Sequence, residues 1–219
     1  MQRERILTYR LRGSRITDAQ EAALQLHWQK YGLLNDVPLN LDEIFPTYKT
    51  RIMEVGFGMG EATAILARDF PETAFLAVEV HRPGVGKLCA RLDENGSANV
   101  RILQHDVIDV INNQLADDSL DGVHIFFPDP WQKKRHIKRR LLTPEFLRLI
   151  FPKIKKGGFI HVATDWVPYA EFALKSFAQV PEYQGGEVAR PNWRPITRFE
   201  GQGLDKNHRV TDMRFTKVK

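Results

Sequence analysis

One stretch limits the possible folds more than any other: Arg51-Ile-Met-Glu-Val-Gly-Phe-Gly-Met-Gly-Glu61. Arg51 to Val55 reads as a short buried strand and Glu61 to Phe70 as a helix. Gly56, Gly58 and Gly60 fill the turn between them. Glycine permits positive φ, and without a Cβ the backbone can lie against a flat ligand. A second apolar run, Thr73 to Val80, carries Glu79 near its end, 19 residues beyond Gly60. That is near the spacing at which a doubly wound nucleotide-binding sheet sets a carboxylate on ribose hydroxyls.

The spacing also narrows the nucleotide. Dinucleotide sites favour G-x-G-x-x-G, with a pyrophosphate on the helix N-terminus. Here the third glycine comes one residue early, and Glu54 and Glu61 flank the turn. Carboxylates repel a pyrophosphate and suit a cationic nucleoside. S-adenosylmethionine, with its sulfonium, ammonium and ribose, meets that description.

The rest of the chain keeps the strand–helix alternation. Strands are expected at Val100 to Gln104, Gly122 to Phe127 and Phe159 to Ala163, the last started by Gly157-Gly158. Helices are expected over Pro83 to Asp93, Val107 to Leu115, Thr143 to Phe151 and Val167 to Ala178. Thr143 serves as a cap, with Pro144 and Glu145 behind it. Two more strands are expected in 183–219, one over Arg209 to Lys217. Such alternation predicts an α/β, Rossmann-like, doubly wound and mostly parallel sheet covered on both faces. Residues 51–219 are read as that domain. Residues 1–50 are read as a basic arm, a helix over Thr17 to Tyr31 opened by Thr17 and Gln20, and a loop-rich connector.

Composition excludes several alternatives. The single cysteine, Cys89, forbids an internal disulfide and makes a cytoplasmic setting the default. It falls within a helix with no activating histidine nearby, so a buried, inert thiol is expected, and no Cys/His pair has zinc-ligand spacing. No apolar run approaches the ~20 residues of a membrane span. The net charge of +5 points to a polyanionic partner if the cations cluster. They do: Lys133, Lys134, Arg135, Lys138, Arg139 and Arg140 fall within eight residues.

In open α/β sheets the ligand crevice lies beyond the carboxyl ends of the strands. Read in order, those ends carry Glu54, Glu79, Asp106, Asp129 and Asp165. Glu79 suits ribose hydroxyls and Asp106 an adenine amino group, since carboxylates accept from both. Asp129 stands in Phe126-Phe-Pro-Asp-Pro-Trp131, immediately before the basic cluster. Pro128 and Pro130 stiffen its backbone, and Trp131 offers a face on which a base can stack. Asp165-Trp166 repeats the pairing of acid and indole. Thr197-Arg-Phe-Glu200 and Gly203 to Arg209 read only as loop.

With these residues assembled, the chain resembles the bacterial tRNA guanine-N7 methyltransferases, from about residue 10 to the C-terminus. The likeness is carried by Glu54-Val-Gly-Phe-Gly-Met-Gly60, Glu79-Val-His-Arg-Pro-Gly-Val-Gly86, Pro128 to Arg140, Ala163-Thr-Asp-Trp166 and Thr197-Arg-Phe-Glu200. The resemblance implies a class I S-adenosylmethionine-dependent methyltransferase acting on the variable-loop guanine, position 46. It implies cofactor contacts at Glu54, Glu79, Asp106 and Asp129, beside the Gly56, Gly58 and Gly60 turn, and Asp129 as the catalytic residue. It also implies substrate contacts at Lys133, Asp165, Thr197, Arg198, Phe199 and Glu200. Arg135, His136, Ile137, Lys138, Arg139 and Arg140 are expected to face RNA. A monomer or homodimer without metal is expected. Asp165 and Glu200 stay interchangeable as acceptors for guanine N1–H and its exocyclic amine. The competing readings are a non-catalytic RNA-binding protein on the same fold and an NAD-dependent oxidoreductase. The intact acids speak against the first, and the early third glycine against the second.

Overall fold

The computed structural model describes residues 5–10, 15–196, 200 and 210–219. A seven-stranded sheet runs β3-β2-β1-β4-β5-β7-β6. Its strands are β1 (Thr50–Val55), β2 (Thr73–Val78), β3 (Val100–Leu103), β4 (Leu120–Phe126), β5 (Ile154–Thr164), β6 (Tyr183–Val188) and β7 (Thr211–Lys217). The first five are parallel, and β7 runs antiparallel to both β5 and β6. The chain winds outward from β1 to β3 and then returns to place β4 beside β1. That reversal opens a crevice above the carboxyl ends of β1 and β4, the usual ligand position in such sheets.

Among the described residues, seven α-helices accompany the strands: α1 (Asp18–Tyr31), α2 (Leu41–Ile44), α3 (Glu61–Asp69), α4 (Arg82–Glu94), α5 (Val107–Asn113), α6 (Pro144–Ile150) and α7 (Val167–Phe177). The caps follow the sequence. Thr17 and Gln20 form a reciprocal capping box on α1, and the Thr143 hydroxyl accepts from the Phe146 N–H. Two apolar clusters lie on opposite faces of the sheet. One holds Met53, Val123, Ile160 and Phe177; the other holds Ile52, Leu88, Cys89 and Phe126. The second is roofed by α1, α3 and α4, with Leu24 and Tyr31 of α1 buried in it. Cys89 is fully buried there, and burial pushes its thiol up to about 11 despite an opposing backbone hydrogen bond. Among the described residues, no helix is long and apolar enough to cross a membrane, and no three His, Cys, Asp or Glu side chains are grouped to hold a metal.

Two local expectations differ, and one element is new. Strand β5 begins at Ile154, five residues before the expected start at Phe159. Its pairing with β4 jumps from Leu120–Ile154 to Gly122–Phe159, so Gly157-Gly158 forms a bulge inside the strand rather than its beginning. Gly157 takes φ 81° there. The connector before β1 contains the short helix α2, opened by the Asn40 side chain accepting from the Asp42 N–H. The basic cluster folds as a 3-10 helix, Lys134–Arg139.

Candidate active site

The turn after β1 is built on three left-handed residues, Gly56, Gly58 and Gly60, at φ 72°, 57° and 70°. They serve two purposes. A Cβ on Gly56 or Gly58 would meet no atom within 4 Å, so these two leave open space on the crevice side. A Cβ on Gly60 would lie 2.6 Å from Leu88 Cβ, so Gly60 instead lets α3 pack on α4. The turn is held from behind by Gly84, whose added Cβ would sit 1.9 Å from the Gly58 carbonyl oxygen. Gly86 has the same relation to α1, at 2.3 Å from the Gln20 oxygen. The glycines of the 79–86 block therefore pack two helices and a turn together.

A cavity of about 720 Å³ opens above this turn, within the size range of sites for small ligands and cofactors. Glu54, Gly56, Gly58, Glu79, Asp106 and Asp129 all line it. Glu79 joins the first two strand ends: its Oε2 accepts from the Gly58 N–H at 2.8 Å, and its Oε1 from the Val80 and His81 N–H groups. Asp106 caps α5 through the Ile108 N–H at 2.9 Å. Burial raises its pKa, while that hydrogen bond and the Arg5 charge oppose the rise.

Glu54 is the exception among these acids. It is 2% exposed, and its Oε2 has no hydrogen-bond partner. Burial pushes it up to about 7, with the Thr63 hydroxyl pulling the other way and the Glu79 charge adding to the rise. A buried carboxyl with one orphaned oxygen, lining an open cavity, is matched by a ligand that brings a cationic donor. Together with the open glycine face and the Glu79 and Asp106 acceptors, it fits the amino-acid and nucleoside parts of S-adenosylmethionine.

Asp129 stands exposed at the cavity rim. Its short loop is bracketed by two strained residues, Phe127 at φ 51° and Trp131 at φ 43°. Non-glycine residues in the left-handed region cost of order 1–3 kcal/mol each and persist only where surrounding contacts fix them. Here the Phe127 N–H donates to the Ala163 carbonyl at 2.8 Å, and the Trp131 indole N–H to the Thr8 carbonyl at 2.9 Å. Arg140 donates from Nε to the Pro130 carbonyl at 3.0 Å.

The other expected residues separate into groups. Gly60 is absent from the cavity wall, being committed to the helix contact. Lys133, Arg135, Lys138 and Ile137 are exposed, while His136 and Arg139 are half-buried against Trp131. Arg139 also donates to the Leu7 carbonyl at 3.0 Å. Arg140, expected to face RNA, instead points inward. It is 7% exposed and lies over the rings of Tyr169 and Phe172, so its guanidinium braces the Asp129 loop. Trp131 is engaged with Thr8, His136 and Arg139. Asp165 is half-buried just beyond β5 and outside the cavity wall. Glu200, expected to touch substrate, is 1% exposed and ion-paired to Arg190 and Arg194. Thr197, Arg198 and Phe199 lie outside the described residues.

Thr8 and Tyr9, which no sequence motif singles out, form part of the cavity wall. They are held there by Trp131 and by Arg5, which pairs with Asp106 and Asp109. Nothing local marks Thr8 or Tyr9; the signal was the run of arginines around them.

A family model described as "Putative methyltransferase" matches residues 49–213. A tRNA (guanine-N(7)-)-methyltransferase of Streptomyces avermitilis is 47% identical over 98% of this chain and 76% of its own length. One from Neisseria meningitidis serogroup B is 45% identical over 97% and 91%. The chain belongs to the tRNA (guanine-N(7)-)-methyltransferase family. Among solved structures, the fold matches the 16S rRNA methyltransferase KamB with a TM-score of 0.62 at 15% identity, over 82% of this chain and 93% of that one. At that identity the match speaks for the class I methyltransferase fold alone. Within this family fold, the acids at the ends of β1, β2 and β3 and the Asp129 loop surround one cavity.

Proposed function

We propose that this enzyme methylates N7 of the variable-loop guanine, position 46, of tRNA, with S-adenosylmethionine as methyl donor. The observation that carries the reading is the unpartnered Oε2 of Glu54 in the glycine-walled cavity of a chain from this family. S-adenosylmethionine supplies a sulfonium methyl: the N7 lone pair bonds to the methyl carbon as the carbon–sulfur pair returns to sulfur, giving a cationic 7-methylguanine and a neutral thioether. N7 carries no proton, so no side chain has to act as a base. The residues act by placement, which contributes up to roughly 7–11 kcal/mol in favourable cases. Glu54 receives the cationic amine, and Glu79 and Asp106 accept from the nucleoside. Asp129, on its stiff spur, faces the purine as it gains positive charge. Asp165 accepts from the guanine donor edge, and the exposed Lys133, Arg135 and Lys138 meet phosphates. Residues 51–219 are read as the catalytic domain with 1–50 as its basic appendage. The protein is read as cytoplasmic, metal-free, and monomeric or homodimeric.

The test is transfer of labelled methyl to unmodified tRNA, followed by nucleoside analysis. The expected product is 7-methylguanosine, lost when guanine 46 is replaced by adenine. Undiminished product with the replaced tRNA would remove position 46 from the reading, and no transfer at all would remove the activity.

A further inference from the structure

Behind the cavity wall lies a charge network that the reaction as described does not use. Arg194 is 1% exposed and grips two carboxylates at once. Its Nη1 and Nη2 donate to Glu200 at 2.7 and 2.9 Å; its Nε and Nη2 donate to Asp212 at 2.8 and 3.0 Å. His161 Nε2 lies 2.8 Å from the same Asp212, and Arg190 donates to Glu200 at 3.0 Å. Burial alone would raise the Asp212 pKa, but the hydrogen bonds from His161 and Arg194 hold it below the ordinary carboxylate value. Asp212 is thereby favoured in its ionised form beside Arg194.

Its place in the fold is informative. The Arg194 guanidinium lies 6.0 Å from the ring centroid of Phe126 and 5.7 Å from that of Phe127. Both phenylalanines wall the cavity, and Phe127 is the strained residue that launches Pro128-Asp129. Asp212 is on β7, which pairs with β5, whose Ala163 carbonyl accepts the Phe127 N–H. A buried ion pair contributes little net stability compared with apolar residues of the same size. What a doubly bidentate arginine adds is fixed geometry.

We propose that Arg194 is a positioning residue for methyl transfer: clamped between Glu200 and Asp212, it holds Phe127 in its left-handed conformation and thereby sets Asp129 at the rim. Glu200 acts in this unit as the counter-charge of Arg194. The inference rests on the tRNA methylation reading above, and the wild-type enzyme tests that reading separately.

The experiment compares Arg194→Lys, Glu200→Gln and their double variant with wild type. It records kcat and KM for tRNA, S-adenosylhomocysteine affinity and thermal midpoint. Lysine keeps the charge but cannot engage both carboxylates bidentately. The expected result is a drop in kcat of tenfold or more for each single variant, with S-adenosylhomocysteine affinity within threefold of wild type. The double variant is expected to fall no further than the worse single one, because the two residues act as one unit. Independent multiplication of the two losses, or a Glu200→Gln loss confined to KM with relaxed preference for guanine over adenine, would overturn the proposal. So would wild-type kcat in Arg194→Lys. Should Arg194→Lys not fold, the near-isosteric Glu200→Gln and Asp212→Asn decide: unchanged kcat in both overturns it, and a tenfold loss in both supports it. A wild-type enzyme inactive on tRNA would sink the functional reading instead.

Discussion

Two buried acids on one face of the sheet have opposite surroundings. The register places Glu54 beside His124, His124 beside His161, and His161 beside Arg214, a row crossing β1, β4, β5 and β7. At one end, Glu54 faces an open cavity with an oxygen unpartnered. Near the other, Asp212, two residues before Arg214, is saturated by Arg194 and His161. Burial is nearly the same, at 2% exposure for each. The difference lies in who supplies the counter-charge. The β7 end carries its own, so it is finished on folding. The β1 end leaves the place to a ligand.

This contrast breaks if removing counter-charges affects both ends alike. Arg194→Met, which leaves two buried carboxylates facing each other, is expected to destabilise the fold by about 3–5 kcal/mol. Glu54→Gln is expected to leave the unliganded midpoint at pH 8 unchanged or raised. Chemical denaturation of both variants gives the answer, and a large loss in Glu54→Gln would end the comparison. Next in size is Gly84→Ala. Its Cβ would press on the Gly58 carbonyl, and overpacking of this kind costs about 1–3 kcal/mol. Because the pressure falls on the turn, S-adenosylhomocysteine affinity, read by calorimetry, is expected to drop along with stability.

Glu54→Gln should weaken S-adenosylmethionine binding by about 10- to 100-fold, the range for a hydrogen bond to a charged group. The pH dependence sharpens this. Glu54 is raised from 4.5 to about 7 in the folded protein, so the unfolded chain releases this proton first. The stability it contributes is fully present below about pH 4.5 and is lost as pH rises through 7. The shift corresponds to roughly 3 kcal/mol. A cationic ligand reverses that loss, so the midpoint gain on adding S-adenosylmethionine should be larger at pH 8 than at pH 5.5. An equal gain at both would show that Glu54 does not receive the amine.

The smallest effect concerns the basic cluster. With Lys133, Arg135 and Lys138 taken as the cations on phosphates, log affinity for tRNA should fall against log salt with a slope of about −2. Neutralising Arg135 and Lys138 should flatten it. Arg140→Ala should lower stability and leave the slope alone.

The divide between Arg140 and its neighbours shows where sequence stops being informative. The strand–helix alternation, the glycine turn and the acids at strand ends are readable because each is local: alternating runs, a spacing of glycines, an acid after an apolar strand. Arg140 looks like Arg139 in the sequence, yet Tyr169 and Phe172, some thirty residues on, draw it inward. Glu200 sits in a motif to which the family resemblance assigns substrate contact, and only the fold brings Arg190 and Arg194 against it. The start of β5 is hidden in the sequence for a related reason. A glycine pair reads as a turn, and whether it bulges within a strand depends on a partner strand that the local sequence does not contain.

The lone thiol gives the molecule its own clock. Cys89 lies on α4, the helix that holds the glycine turn from behind, and it is fully closed to solvent and poorly ionised. A thiol reagent can therefore reach it only when α4 lifts from the sheet. Its labelling rate counts how often the floor of the cavity opens, with no probe to be engineered and no competing sulfhydryl to subtract. A bound ligand that slowed that rate would be reporting its own grip on the turn.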